Sequence, residues 1–143
     1  MKTNVVYMTK TGHTEKLAIA VAKECGTHPI NLSNPHVLDD PECLFIGTGI
    51  YGGKPNQNLF NYIDQLPVNK IKYAVLFSSS ATKKDYSEFL VNSLRAKGIE
   101  VFPERFTCYG SFMFFKRKRP NSSDIEAVRA FTRRVLENLG EKE

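Results

Sequence analysis

The sequence predicts an α/β fold built on a parallel sheet, and three observations carry that expectation. Short β-branched and aromatic runs alternate with stretches whose apolar residues recur at helical spacing. One run, Cys43 to Gly47 (CLFIG), is apolar without interruption, as a parallel strand covered on both faces must be. The helical stretches end on stop signals: Gly26, Pro67 and Gly98.

Taken in order, Asn4 to Met8 (NVVYM) is the first strand. From Thr14, Leu17, Ala18, Val21, Ala22 and Cys25 form one face of a helix, and Gly26 suits its C-terminal cap. His28 to Leu32 (HPINL) is a weak second strand and CLFIG the third. Leu59, Phe60, Ile63 and Leu66 mark a second helix, stopped by Pro67. Tyr73 to Ser79 (YAVLFSS) is a strong fourth strand. Phe89, Leu90 and Leu94 mark a helix ending at Gly98, and Ile99 to Gly110 holds the fifth strand. Ser123 and Glu126 have the S-x-x-E spacing of a capping box, opening a last helix with Ile125, Val128, Val135, Leu136 and Leu139 inward. One connection is awkward. Only Asn34 to Glu42 joins the second strand to the third, where a parallel crossover ordinarily takes a dozen or more residues. A short turn of helix or a tight loop is expected there.

The chain has 143 residues, and one domain over 1–143 is expected. Hydrophobic residues make up 41%, which suits a globular protein and not a disordered one. No apolar run reaches the roughly 20 residues of a membrane span. The first residues turn polar before the apolar segment of a signal peptide forms, so a cytoplasmic location is expected. Cys25, Cys43 and Cys108 are odd in number and widely spaced, which fits a reducing compartment better than a disulfide framework. His28 and His36 lack ligand spacing, and no metal is assigned.

In an open parallel sheet a ligand lies beyond the carboxyl ends of the strands, near the switch point. After the first strand comes Thr9 to Thr14 (TKTGHT), with hydroxyls at Thr9, Thr11 and Thr14, a flexible Gly12, and Lys10 to add charge. Placed at a helix N-terminus, these make an anion trap. The same residues suit a threonine helix cap with incidental neighbours equally well. After the third strand comes Gly47 to Pro55 (GTGIYGGKP), which fits G-x-G-x-x-G literally. A dinucleotide fingerprint belongs after the first strand and opens a helix; this one does neither. A P-loop fails at two positions, since Thr48 stands where its first glycine belongs and Pro55 follows Lys54. The acidic cluster of a receiver domain and the C-x5-R of a low-molecular-weight tyrosine phosphatase are also absent from the sequence.

VVYMTKTGHTEKLAIAV resembles the N-terminal signature of the flavodoxin family, with Val5, Val6, Tyr7, Thr9, Gly12, Thr14, Ala18 and Val21 at its specified positions. The order of elements continues the resemblance almost to the end of the chain. It implies a flavodoxin-like three-layer sandwich, a five-stranded parallel sheet of order 2-1-3-4-5, and FMN at the switch point. No insertion in the fifth strand is visible, so the chain is similar to the short-chain members. Carried onto this sequence, Thr9, Lys10, Thr11, Gly12, His13 and Thr14 would hold the phosphate, with His13 at a variable position facing solvent. Thr48, Gly49, Ile50, Tyr51, Gly52 and Gly53 would grip the isoalloxazine ring, with Tyr51 against it and the Gly52-Gly53 peptide free to turn toward it. Ser78, Ser79 and Ser80 would meet the pyrimidine end of the ring, although a serine-rich loop often only caps the next helix. Tyr86 suits either a second ring face or packing. Cys108, Tyr109 and Gly110 fit a structural turn better than the rim of the site.

The resemblance implies an electron carrier, taking electrons from a reductase and passing them to a redox enzyme. No acid/base pair or nucleophile stands out, so no catalytic residue is assigned. Two alternatives stay open: an FMN-dependent reductase of a quinone or other small acceptor, and a flavin-free regulatory module. The net charge is +5, against the acidic habit of the family. Lys116, Arg117, Lys118 and Arg119 suit a solvated loop or a docking patch for an acidic redox partner about equally. No recognition helix accompanies them, so nucleic acid is not expected. A monomer is expected.

Overall fold

The computed structural model describes residues 1–9, 12–50, 56–80, 88–109 and 120–141. Lys10, Thr11, Tyr51, Gly52, Gly53, Lys54, Tyr86, Gly110 and the basic run Lys116 to Arg119 lie outside the described residues.

In chain order the elements are β1 (Thr3–Met8), α1 (His13–Cys25), β2 (Pro29–Asn31), β3 (Cys43–Ile50), α2 (Gln57–Asp64), β4 (Tyr73–Ser80), α3 (Glu88–Arg95), β5 (Glu100–Val101), β6 (Phe106–Tyr109) and α4 (Ser122–Glu141). All strand pairs are parallel, in the order β2-β1-β3-β4-β5, and β6 also pairs with β4. The expected order 2-1-3-4-5 is therefore present. The fifth place is shared by two short strands, because the chain leaves the ladder after Phe102 and rejoins it at Phe106. Pro103, which lacks an N–H, lies in the gap.

Alternation along the strands sorts the core into two layers. Val5, Phe45, Val75 and Phe77 face Leu17, Ala18 and Val21 of α1 and Val128, Phe131 and Val135 of α4. Val6, Leu44, Ile46 and Leu76 face Leu59 and Ile63 of α2 and Leu90 and Leu94 of α3. Phe131 and the buried Thr132 join the inward face of α4 beside the positions its periodicity predicts.

Two expectations are sharpened in detail. Of the two forms expected between β2 and β3, a turn of helix or a tight loop, the chain takes the tight loop. That loop is pinned by hydrogen bonds. Asn4 Oδ1, on a buried side chain, accepts from Asp39 N at 2.9 Å, and the Glu42 N–H reaches Lys2 O at 2.9 Å. The His36 ring packs on Tyr62 of α2, its Nε2 3.3 Å from the phenol oxygen. The second change is at α4. Its capping box is Asn121 with Asp124, not Ser123 with Glu126. The Asp124 N–H donates to Asn121 Oδ1 at 3.1 Å, and the Asn121 N–H donates to Asp124 Oδ2 at 2.8 Å. Asn121 O accepts the first helical bond, from Ile125 N at 3.0 Å, so the helix begins directly after Pro120-Asn121.

Candidate functional site

The carboxyl edge of the sheet gathers most of the described site residues by register alone. Met8, Thr48, Ser78 and Thr107 lie in one row across β1, β3, β4 and β6. Gly49 pairs with Ser79 and Ile50 with Ser80 in the rows beyond. β1 leads outward to β2, whereas the chain after β3 builds the opposite half of the sheet. The crevice between β1 and β3 is therefore the switch point.

The N-terminus of α1 opens onto that crevice. Gly12 is its N-cap residue at φ 84°, a left-handed conformation that strains any residue with a Cβ, although the space around it is open. Neither described threonine caps the helix. Thr9 Oγ1 instead accepts the Gly12 N–H at 3.0 Å, closing the turn, and no side-chain bond caps the helix start. The first-turn amides and the positive end of the helix dipole are thus presented without a resident carboxylate cap. Glu15, in the same turn, is drawn back toward Tyr7, whose phenol is pushed up by burial and by that carboxylate.

His13 opens the helix half-buried, not facing solvent as expected. Burial, then Lys16, holds its imidazole below the ordinary histidine range, so it is neutral at pH 7. Thr14 is wholly buried, and its Oγ1 lies 3.0 Å from Ser79 Oγ at the end of β4. Ser78, also buried, has its Oγ 2.7 Å from Thr107 Oγ1. These three hydroxyls are turned inward, to partners in the protein. Thr48 is buried too and donates to Gly49 O at 3.0 Å.

Gly47, the first glycine of GTGIYGG, has a structural reason. A Cβ there would clash with the buried ring of Phe77, its register partner on β4, so the glycine leaves room for that ring over β3.

Sequence reasoning overlooked the wall beside Thr9. A groove of about 440 Å³ opens there, lined among others by Ser33, Asn56, Asn58, Asn61 and Tyr62. Among the described residues its lining is polar and uncharged. Asn56 also caps α2, its Oδ1 accepting from Asn58 N at 2.8 Å. An asparagine just ahead of the apolar periodicity was the available signal. Burial raises the Tyr62 phenol to about 12, so it stays protonated as a donor.

Among the described residues, no group of three metal-binding side chains converges, and no helix is long and apolar enough to cross a membrane. No buried side-chain polar atom among them lacks a partner.

A parallel sheet of this order, with a glycine-led helix N-terminus at its switch point, defines a flavodoxin-like protein. The flavodoxin-domain family model matches residues 4–117, and the chain belongs to that family. A relative from Methanocaldococcus jannaschii, an uncharacterized protein, is 29% identical over 139 aligned positions, covering 88% of this chain and 91% of the relative. Among solved structures, a flavodoxin from the domain Archaea superposes with a TM-score of 0.79 at 16% identity, covering 98% of this chain and 99% of its own. Flavodoxin 1 from Bacillus cereus gives 0.74 at 16% identity, over 96% and 98% of the two chains. At such identities the structural likeness speaks to the fold.

Proposed function

We propose that the protein binds FMN at this edge and serves as a one-electron carrier between a reductase and a redox enzyme. The observation that carries the reading is the uncapped, Gly12-led N-terminus of α1 at the β1–β3 switch point. This supports a phosphate there: the space around Gly12 is open, and among the described residues no side chain caps the helix start. Thr9, Lys10, Thr11, Gly12, His13 and the backbone of Thr14 would hold the phosphate. Thr48 to Gly53 and Ser78 to Ser80 would hold the ring. Since the hydroxyls of Ser78 and Ser79 are engaged inward, these serines would serve through their backbone groups.

When bound, FMN supplies the electron chemistry. The chain's share is to orient the flavin, exclude water from one side of it and set the local charge. The reading as a carrier is supported by membership of the flavodoxin-domain family. Titration of the purified protein with FMN, followed by flavin fluorescence, tests it. Stoichiometric quenching is expected, then electron exchange with a flavodoxin reductase. Turnover of a quinone with a nicotinamide donor would favour the reductase reading instead. Failure to bind FMN would leave a flavin-free module.

A further inference from the structure

Among the described residues, the large apolar side chains left exposed are Met1, Ile19, Val37 and Val68. Val37, 90% exposed, and Val68, 57%, stand in the loop before β3 and the turn before β4. The same two segments enclose a hollow of about 520 Å³, lined by Leu38, Asp40, Pro41, Pro67, Lys70 and Ile71. Apolar knobs and a largely apolar hollow thus share one face, at the amino ends of the strands. Asp40 and Lys70 lie on the wall of the hollow, opposite in sign. Neither makes an ion pair or a hydrogen bond among the described residues. Their neighbours do pair: Lys2 with Asp39 at 3.3 Å, and Lys72 with Glu42 at 3.9 Å. Cations and anions therefore balance here, Lys2, Lys70 and Lys72 against Asp39, Asp40 and Glu42. The chain as a whole carries +5, so two copies repel each other across most of their surface. A balanced apolar face is where they meet at least electrostatic cost.

We propose that this face binds a second copy of the chain, as an isologous pair about a two-fold axis. In such a pair every contact is made twice. The valines of each copy cover the hollow of the other, and Asp40 of each meets Lys70 of the other. A knob, a hollow and both signs of charge on one patch make it complementary to itself. A differently charged partner would match one of the two charges and leave the other opposed. Nothing in the sequence marks this face, and a monomer is what the sequence leads one to expect. The pair leaves the carboxyl edge of the sheet open in both copies, so the inference stands apart from the flavin reading.

Sedimentation velocity over a concentration series tests it. The wild type is expected to form a dimer whose share rises with concentration. Asp40→Lys and Lys70→Asp each set like charges together twice, and each alone should weaken the dimer about tenfold or more. Mixing the two single variants should restore it, because in the mixed pair every lysine faces an aspartate. Asp40 has φ 45°, a left-handed conformation that aspartate tolerates better than lysine. Should Asp40→Lys fail to fold, Val68→Glu, at an exposed position, should break the dimer. Its melting temperature should match that of the wild type at dilutions where both are monomeric. A wild type that stays monomeric up to about 1 mM overturns the proposal. So do single charge reversals or Val68→Glu that dimerise as the wild type does, and a mixture of the two reversals that stays monomeric.

Discussion

At the scale of single residues, the site is set by backbone shape and by where hydroxyls turn. Gly12 starts α1 from a left-handed conformation with open space around it, so Gly12→Ala meets a backbone penalty and no clash. A loss of about 1–2 kcal/mol in urea unfolding is expected. His13 is neutral in the free protein, because burial and Lys16 lower its pKa. A phosphate beside it favours the protonated form and raises that pKa again. FMN binding should therefore take up protons, and affinity should rise as pH falls from 7 toward the histidine's lowered pKa. His13→Gln should flatten that part of the profile, leaving what belongs to the phosphate's own second ionisation near pH 6. Fluorescence titrations in several buffers check the sign; an affinity rising with pH would reject the linkage.

At the scale of elements, Gly47 shows how one strand is tailored to its neighbour. Gly47→Ala drives a methyl into the buried Phe77 ring and should cost about 1–3 kcal/mol. Combining it with Phe77→Leu should show strong coupling in a double-mutant cycle, whereas additive effects would mean that the ring moves freely. The cap of α4 separates two readings of the same stretch of sequence. Asn121→Ala should destabilise by about 1 kcal/mol, while Ser123→Ala, exposed in the first turn, should lie within about 0.5 kcal/mol of wild type. The helix begins as soon as Pro120 permits, and Asn121 stands at that point. S-x-x-E spacing alone carries no information about where the preceding chain turns. On the outer face, Glu24 of α1 accepts from Arg129 Nε at 2.8 Å and Arg133 Nη1 at 2.9 Å of α4. The Arg129 hydrogen bond, opposed by burial and aided by Arg133, lowers the Glu24 carboxyl's pKa. A depressed carboxylate stabilises above its unfolded pKa and loses that contribution as pH falls through the folded value. Glu24→Gln should lower the melting temperature at pH 7, and the difference should close in acid.

At the scale of the whole molecule, the chain is basic, where the family resemblance implies an acidic protein. With a net charge of +5, the surroundings of a bound flavin would favour its reduced, anionic form. One unit charge about 10 Å away, at an effective dielectric of about 20, is worth roughly 1.7 kcal/mol, or about 70 mV for a one-electron step before screening. The couple forming the fully reduced flavin should therefore be less negative than in acidic flavodoxins, which potentiometry can read directly. Lys116 to Arg119 belong to the same argument as a proposed docking patch. Reversing their charge should slow electron transfer to the true partner at low salt, with the difference fading as salt rises.

The sequence by itself determined the fold class, the strand order through the family resemblance, and the edge where a ligand is proposed. Those follow from periodicities of two and near 3.6 and from one glycine-hydroxyl turn, all local in the chain. Tertiary structure alone decided which of these hydroxyls are paired within the protein. Thr14, Ser78 and Ser79 read alike as ligand donors, yet each is paired inward with a group from a distant segment or a neighbouring strand. Gly47, which the sequence places at the end of the third strand, owes its missing side chain to the Phe77 ring packed against it. The physical reason is the same in each case. A hydroxyl or a missing side chain takes its meaning from what packs against it, and that partner is chosen by the sheet's register.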